Sequence, residues 1–136
     1  MKCRELTGVI ISCFYKVYND MGYGFLEKVY ERALIFELQG RGVICQRQYP
    51  ISVYYCDKLV GEYYADILVE GKVIVELKAA TALVEEHECQ LINYLKATDI
   101  EIGLLFNFVP KPQFKGKIFS NKNPRKSAKS ASSASH

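Results

Sequence analysis

Apolar residues in the first third of the chain recur at helical spacing and predict two amphipathic helices. The first covers residues ~4–19, and the second begins at Phe25 and stops at Gly40. Residues 19–24, NDMGYG, form a break of turn residues between them. The periodic apolar positions are Leu6, Val9, Ile10, Cys13, Phe14 and Val17 in the first helix, and Leu26, Val29, Tyr30, Ala33, Leu34 and Leu38 in the second.

The middle of the chain changes to strand periodicity, in which every second residue is apolar. Turns at Asp57-Lys58 and Glu70-Gly71 separate three predicted strands, and a third amphipathic helix follows them. The predicted segments are strands 48–55, 62–69 and 72–79, a helix over residues ~82–97, a strand over 100–109 and a short closing strand over 116–119.

This order of elements, α-α-β-β-β-α-β with a closing strand, predicts an α/β fold with a mixed sheet flanked by helices. A hairpin-rich half is followed by one helical crossover into a returning strand. The length of 136 residues and the hydrophobic content of 49% suit one domain with its own core.

Charge divides the chain into two unequal parts. Residues 1–108 contain all fifteen acidic residues and eleven Lys and Arg, a formal charge of −4, whereas residues 109–136 contain seven basic residues and no acid. We therefore predict a domain over residues 1–119 and a disordered basic tail, rich in Ser, Ala and Lys, over 120–136. Such a tail either solubilises the protein or contacts nucleic acid electrostatically.

Cysteine usage and hydropathy indicate a cytoplasmic protein without a membrane segment. The five cysteines include no C-x-x-C pair, which favours buried structural thiols in a reducing compartment. No apolar run approaches the ~18 residues that a membrane span requires. The N-terminal segment has the pattern of an amphipathic helix, not of a signal peptide.

Charged residues interrupt two of the predicted apolar strands. Glu76 and Lys78 are two positions apart in KVIVELKA, so they point to the same face, and Asp66 interrupts the preceding strand. A two-residue loop between these strands would place Asp66 and Glu76 on opposite faces. A three-residue loop over residues 69–71, with its glycine left-handed, places them together, and we predict this geometry.

Two carboxylates held together are suited to Mg²⁺ or Mn²⁺, which prefer hard oxygen ligands. A cation at Asp66 and Glu76 could polarise a phosphodiester and lower the pKa of a bound water, and Lys78 could place its ammonium beside that water. Spacing alone leaves another interpretation open, namely an edge strand that carries a solvated ion pair.

Three motifs occur in an order that resembles a known family. GFLEKVY (residues 24–30) has the form G-x-x-E-x-x-Y, YADILVEGKVIVELKA (residues 64–79) carries D…E-x-K, and QLINY (residues 90–94) has the form Q-x-x-x-Y. Together they resemble the GxxExxY protein family, a branch of the PD-(D/E)XK nuclease superfamily, over roughly residues 4–119. The resemblance implies a restriction-endonuclease-like α-β-β-β-α-β core with an extra N-terminal helix. Ala65 stands where many members have proline.

The resemblance implies roles for several residues. Asp66 and Glu76 are implied metal ligands, with the main-chain carbonyl of Leu77 as a further candidate, and Glu27 is implied to reach the metal or its water shell. Lys78 is implied to position or deprotonate the attacking water.

Further roles are implied on the helices. Gln90 and Tyr94 are implied to steady the lysine and to contact substrate phosphate. Tyr30, the tyrosine of the first motif, is either a second substrate-binding residue or part of the core.

The sequence therefore predicts a Mg²⁺- or Mn²⁺-dependent nuclease acting on DNA. A non-catalytic module that keeps the fold and binds nucleic acid or protein stays open, as does an RNA substrate. Tyr54-Tyr55 and Tyr63-Tyr64 on neighbouring strands are consistent with a homodimer surface, with a surface for base stacking, or with ordinary strand composition.

Overall fold

Three helices and five strands make up the part of the chain that the structure, a computed structural model, describes: residues 3–122. Every predicted element is present, including the closing strand, with bounds that differ by a few residues. The elements are α1 (Arg4–Met21), α2 (Glu27–Gly40), β1 (Cys45–Tyr55), β2 (Lys58–Val69), β3 (Val73–Lys78), α3 (Glu85–Lys96), β4 (Ile102–Asn107) and β5 (Gln113–Ile118).

The five strands form one mixed sheet in the order β1-β2-β3-β4-β5. Strands β3 and β4 are parallel, and the other neighbouring pairs are antiparallel. Parallel neighbours require a crossover, and α3 provides it between β3 and β4. The predicted α/β architecture, with one helical crossover after a hairpin-rich half, is therefore what the chain adopts.

The sheet buries one apolar cluster on each face. Helices α1 and α2 cover the first face, where the ring of Phe14 stacks on Phe106 at 4.3 Å between centroids. Helix α3 covers the second face with Leu91, Tyr94 and Leu95. The alternation of the strand residues supplies both faces, so the sheet is a central layer.

Helix α3 lies close to the sheet because β4 has a glycine under it. A Cβ on Gly103 would lie 2.6 Å from Cδ1 of Leu91, so a larger residue fits only if the Leu91 side chain or the helix moves. This close contact fixes the depth at which α3 presents its polar residues to the end of β3.

Strands β1 and β2 continue beyond the sheet as a two-stranded ribbon. They pair from Cys45↔Val69 to Tyr55↔Lys58, whereas β2 pairs with β3 only at residues 67–69. We refer to residues 49–65 as the β1–β2 ribbon. Its loop is formed by Cys56 and Asp57, both at positive φ, one position earlier than predicted.

The membrane and cysteine predictions can be compared with the described residues. No helix within residues 3–122 is long and apolar enough to cross a membrane. All five cysteines are free, but Cys56 and Cys89 are exposed, so the prediction of buried thiols is wrong for these two. Asn121 donates its side-chain amide to the carbonyl of Asp99 at 3.1 Å, two residues past the predicted domain boundary. Most of the predicted tail, residues 123–136, lies outside the described residues.

Candidate active site

The loop between β2 and β3 determines which side chains meet. It consists of Glu70, Gly71 and Lys72, so it has the predicted length of three residues but lies one position later than predicted. Glu70 and Gly71 both adopt positive φ, 54° and 65°. The register Ile67↔Val75, carried one pair further, sets Asp66 opposite Glu76, and opposite residues share a face of the sheet.

Asp66 connects the two strands where their main-chain pairing ends. Pairing stops at Ile67↔Val75, and the Oδ2 atom of Asp66 accepts a hydrogen bond from the main-chain N–H of Leu77 at 2.7 Å. The carboxylate is thereby held against the strand that carries Glu76. Its position depends on a main-chain contact and not on a flexible surface rotamer.

Glu76 is only 5% exposed and faces Asp66. Burial raises its pKa to about 10, and a hydrogen bond with the Asp66 side chain and the Asp66 charge act in the same direction. The positive charge of Lys78 opposes this rise, so the lysine lies within electrostatic reach of the pair. Without a cation, the two carboxyl groups therefore hold a proton at neutral pH.

Helix α3 brings its motif residues to the same place. The side-chain amide of Gln90 donates a hydrogen bond to the hydroxyl of Tyr94 at 2.9 Å. Burial raises the pKa of Tyr94 to about 12, and the charge of Glu76 is the next largest cause. Tyr94 thus lies within electrostatic reach of Glu76, and Gln90 is bonded to the Tyr94 hydroxyl.

Glu27 approaches the site from the start of α2. Its Oε2 atom accepts a hydrogen bond from the main-chain N–H of Ala79 at 3.2 Å, immediately after Lys78. Glu27 is exposed, and it lines a cleft of about 330 Å³ with Tyr23 and Phe25. The structure therefore brings Glu27 to the end of β3, on the side opposite the tyrosine of α3.

Tyr30 does not line this site, which corrects the prediction of a substrate-binding role. Its side chain is 0% exposed, and its ring stacks on Phe108 at 3.8 Å between centroids. Its hydroxyl donates to the carbonyl of Gly22 at 2.8 Å and accepts from the N–H of Phe25 at 3.2 Å. Tyr30 is a core residue that holds the loop before α2, and through that loop it positions Glu27.

Glu31 is a carboxylate that the sequence analysis missed. It is 4% exposed, one helical turn after Glu27, and its pKa is raised first by burial and next by the charge of Asp66. Its Oε2 atom accepts a hydrogen bond from Gln48 at 3.0 Å. Its Oε1 atom is buried without a hydrogen bond, and Nε of Arg47 lies 3.7 Å from it. The spacing of four residues from Glu27 was the available signal.

Asn107 was also missed, although an amide in the buried strand IGLLFN is itself a signal. Asn107 is 0% exposed and pairs with Lys78 across β3 and β4. Its side chain accepts from the N–H of Ala80 at 3.0 Å and donates to the carbonyl of Ala80 at 3.1 Å. These two bonds anchor the chain that follows the lysine.

The donor set fits a divalent cation of the Mg²⁺ or Mn²⁺ type. Within residues 3–122 no group of three or more His, Cys, Asp and Glu side chains forms a ready metal site. Asp66 and Glu76, however, provide adjoining carboxyl oxygens, and Oε1 of Glu31 is a buried oxygen that accepts no hydrogen bond and has only the longer ion pair with Arg47. Hard oxygen atoms around a shared proton are suited to exchange that proton for Mg²⁺ or Mn²⁺. The carbonyl of Leu77 stays a predicted further ligand.

Comparisons with known proteins bear on the fold and the family of the chain. No curated protein matches the chain. The crystal structure of SSO0001 superposes with a TM-score of 0.57 at 15% sequence identity, covering 76% of this chain and 55% of SSO0001. The chain thus spans about half the length of SSO0001, and the likeness is one of fold. The PDDEXK_3 family model matches residues 4–118. Because that match covers most of its length, the chain belongs to the PD-(D/E)XK nuclease superfamily.

Proposed function

We propose that this protein is a metal-dependent nuclease that hydrolyses DNA phosphodiester bonds, and that it belongs to the GxxExxY branch of its superfamily. The observation that carries the proposal is the pair of adjoining carboxyl groups of Asp66 and Glu76, with Lys78 two residues further along the same strand. Such a pair is costly to bury unless a proton or a cation compensates it.

The residues divide the chemical work as follows. Asp66 and Glu76 bind the cation, and Glu27 and Glu31 approach it or its water shell from α2. Mg²⁺ or Mn²⁺, when bound, withdraws electron density from the phosphodiester and acidifies water. Lys78 positions the attacking water or removes its proton.

The α3 residues act on the same pair from the other side. Gln90 orients the hydroxyl of Tyr94, a residue that is 6% exposed and lies within electrostatic reach of Glu76. Tyr94 therefore acts as a short-range hydrogen-bonding partner at the site, and it contacts substrate phosphate only through that hydroxyl.

The assignment to the GxxExxY branch rests on residues 24–30 and has a physical basis. Gly24 adopts φ 110°, which favours glycine, and the Tyr30 hydroxyl bonds to both sides of this loop. The glycine and the tyrosine of the motif thus hold the segment from which Glu27 reaches Ala79. The free cysteines fit a reducing cytoplasm.

The test is cleavage of a panel of single-stranded, duplex and branched DNA and of RNA, with Mg²⁺, with Mn²⁺ and with a chelator. We expect metal-dependent cleavage of DNA and its loss in Asp66→Asn, which keeps an acceptor for the Leu77 N–H but removes the charge. Isothermal calorimetry should show metal affinity lost in the same variant. An intact panel under every metal condition would contradict the proposal.

One observation favours the alternative of a non-catalytic binding module. Residues 1–108 carry a formal charge of −4, which weakens a general grip on DNA. That module would bind nucleic acid or protein with the same surface and leave the panel uncleaved, so the cleavage experiment separates the two functions.

A further inference from the structure

A cavity of about 820 Å³ lies between the β1–β2 ribbon and α3, and the motif residues Gln90 and Tyr94 line it. We call it the tyrosine cavity. Its wall includes Val53 and Tyr63 from the ribbon, and Gln90, Asn93 and Tyr94 from α3. It adjoins the candidate active site because Tyr94, which interacts with Glu76, forms part of the wall.

We propose that the tyrosine cavity binds an unpaired nucleobase next to the scissile phosphate, so that the substrate is single-stranded DNA or an unpaired segment of DNA. This inference rests on the proposed nuclease function and adds the substrate class to it. The stacking surface for the base is the ring of Tyr63.

Tyr63 has the exposure and the support that a stacking surface needs. Its side chain is 49% exposed, and its ring lies 5.9 Å from the ring of Tyr94 at an angle of 47°. A Cβ on Gly61 would lie 3.3 Å from Cε2 of Tyr63, so the ring occupies space that a side chain at position 61 would crowd. One face of the ring is backed by protein, and the cavity leaves room for a base beside it.

Size and polarity also fit a base better than a duplex. Pockets of about 300–1,000 Å³ hold ligands of nucleotide size. Asn93 is exposed in the wall, and its amide offers both a donor and an acceptor to a base edge. In a duplex, each base is covered on both faces by its stacked neighbours. It must therefore leave the base stack before it can enter a pocket and stack on Tyr63.

Charge decides which part of the nucleotide enters the cavity. Glu85, Glu86 and Lys96 line it, so its charged groups are acidic on balance, and the two exposed glutamates repel phosphate. The phosphate is attracted instead to a cation at the carboxyl pair, and this attraction remains when Lys78 is replaced. A nucleotide with its base in the cavity and its phosphate at the carboxyl pair keeps the phosphate away from Glu85 and Glu86 and close to the cation. A duplex backbone along α3 would do neither.

Binding is measured by fluorescence anisotropy in the Lys78→Met background with Mg²⁺, which keeps the oligonucleotide intact. The probes are a labelled oligothymidylate and the same strand in a blunt duplex. We expect the single strand to bind at least about 10-fold more tightly, and Tyr63→Ala to weaken its binding by about 10-fold. Tyr63→Phe, which keeps the ring, should stay within about twofold of the parent.

Tyr64→Ala is the matched control. Tyr64 is the next residue on the same strand, points to the opposite face and is 57% exposed, so a general effect of losing an exposed tyrosine would appear in both variants. If Tyr63→Ala fails to fold, Tyr63→Leu replaces it. Leucine keeps an apolar side chain at position 63 but removes the aromatic ring on which a base would stack.

Alkylation of cysteine provides an independent readout. Cys89 is exposed and lines the tyrosine cavity, whereas Cys56 is exposed at the tip of the ribbon. Bound oligothymidylate should slow the alkylation of Cys89 and leave that of Cys56 unchanged, as followed by peptide mass spectrometry.

The outcomes separate this inference from the proposed function. Cleavage of DNA by the wild type, with duplex bound as tightly as single strand or with equal effects of the Tyr63 and Tyr64 substitutions, overturns the inference alone. Binding that depends on Tyr63, without cleavage of any substrate, supports the cavity and contradicts the nuclease. A dimer in light scattering that Tyr63→Ala dissociates would identify the ribbon as an interface between copies and overturn the inference.

Discussion

The Oδ2 atom of Asp66 accepts a hydrogen bond from the main-chain N–H of Leu77 at 2.7 Å. This bond ties β2 to the strand that carries Glu76 and Lys78, at the point where main-chain pairing has ended. The bond fixes the rotamer of the Asp66 carboxylate, which the proposed role as a metal ligand requires. The geometry of the site therefore depends on how the short β2–β3 pairing ends, next to Asp66 and Glu76.

Lys78→Met should abolish most cleavage and preserve folding. The substitution keeps the aliphatic stem but removes the ammonium, so we expect cleavage to fall by roughly 10²–10⁴-fold. Metal affinity should persist or rise, because a positive charge near Glu76 is lost. Lys72→Met, at an exposed lysine of the β2–β3 loop, is the control and should cleave normally. Equal activity of the two variants, measured with one substrate, would remove Lys78 from the mechanism.

Glu31→Gln should weaken metal binding although no motif contains Glu31. The amide can still accept a hydrogen bond from Gln48, but it removes the charge next to Asp66. We expect metal affinity by calorimetry to fall by about 10–100-fold. Glu37→Gln, at a partly buried glutamate on the same helix near Lys16, should bind metal as the wild type does. Unchanged affinity in Glu31→Gln would leave Glu27 as the helix carboxylate of the site.

Tyr30→Phe should lower both stability and cleavage without creating a cavity. Loss of the hydroxyl leaves the Gly22 carbonyl and the Phe25 N–H without their partner, which costs about 1–3 kcal/mol of unfolding free energy. The loop before Glu27 should loosen, and kcat should fall. Tyr18→Phe removes one exposed bond to the Pro110 carbonyl and should have a smaller effect on urea unfolding. An increase confined to KM, with kcat unchanged, would instead indicate a direct contact of Tyr30 with substrate.

Stability of the metal-free protein should fall as pH rises. The folded protein holds a proton on Glu76 up to about pH 10, whereas the unfolded chain releases it near pH 4.5. Between these values the folded state binds more protons than the unfolded state, so each pH unit costs up to about 1.4 kcal/mol of unfolding free energy. Glu76→Gln cannot titrate and should show a flatter dependence.

Urea unfolding in chelator at pH 6 and pH 8, on the wild type and on Glu76→Gln, measures this difference. Added Mg²⁺ should stabilise the wild type more at pH 8 than at pH 6, because binding displaces the proton. Parallel pH profiles of the two proteins would show that Glu76 is ionised in the folded state.

Removal of residues 123–136 should leave the melting temperature nearly unchanged. The truncation keeps Asn121, whose main-chain N–H donates to Glu101 and whose side chain donates to the Asp99 carbonyl, so no described contact is lost. Should the tail contact DNA, the affinity will fall and its dependence on salt will become shallower. A large decrease in melting temperature would place part of the domain beyond residue 122.

Local sequence determined the helices and strands, and it determined which residues of the β2–β3 hairpin share a face of the sheet. The apolar period changes from 3.6 to 2 and back, which is sufficient to order the helices and strands. Asp66 and Glu76 could be set on one face because a loop of three residues is a local property, and the structure changes only which three residues form it. The resemblance in three motifs indicated the family in the same way, since the motifs are read in order along the chain.

Contacts between elements far apart in sequence were decided only by the tertiary structure. The apolar period of the second helix includes Tyr30, but the partner that encloses its ring is Phe108, on the segment after β4, and only the tertiary structure shows this contact. Glu31 became a candidate site residue because the packing of α2 buries it within electrostatic reach of Asp66. The two hydrogen bonds between the Asn107 side chain and the main chain of Ala80 likewise require β3 and β4 to be parallel neighbours. The apolar pattern along one helix or strand shows which of its faces is buried. The residues that this face contacts are set by how the elements pack together.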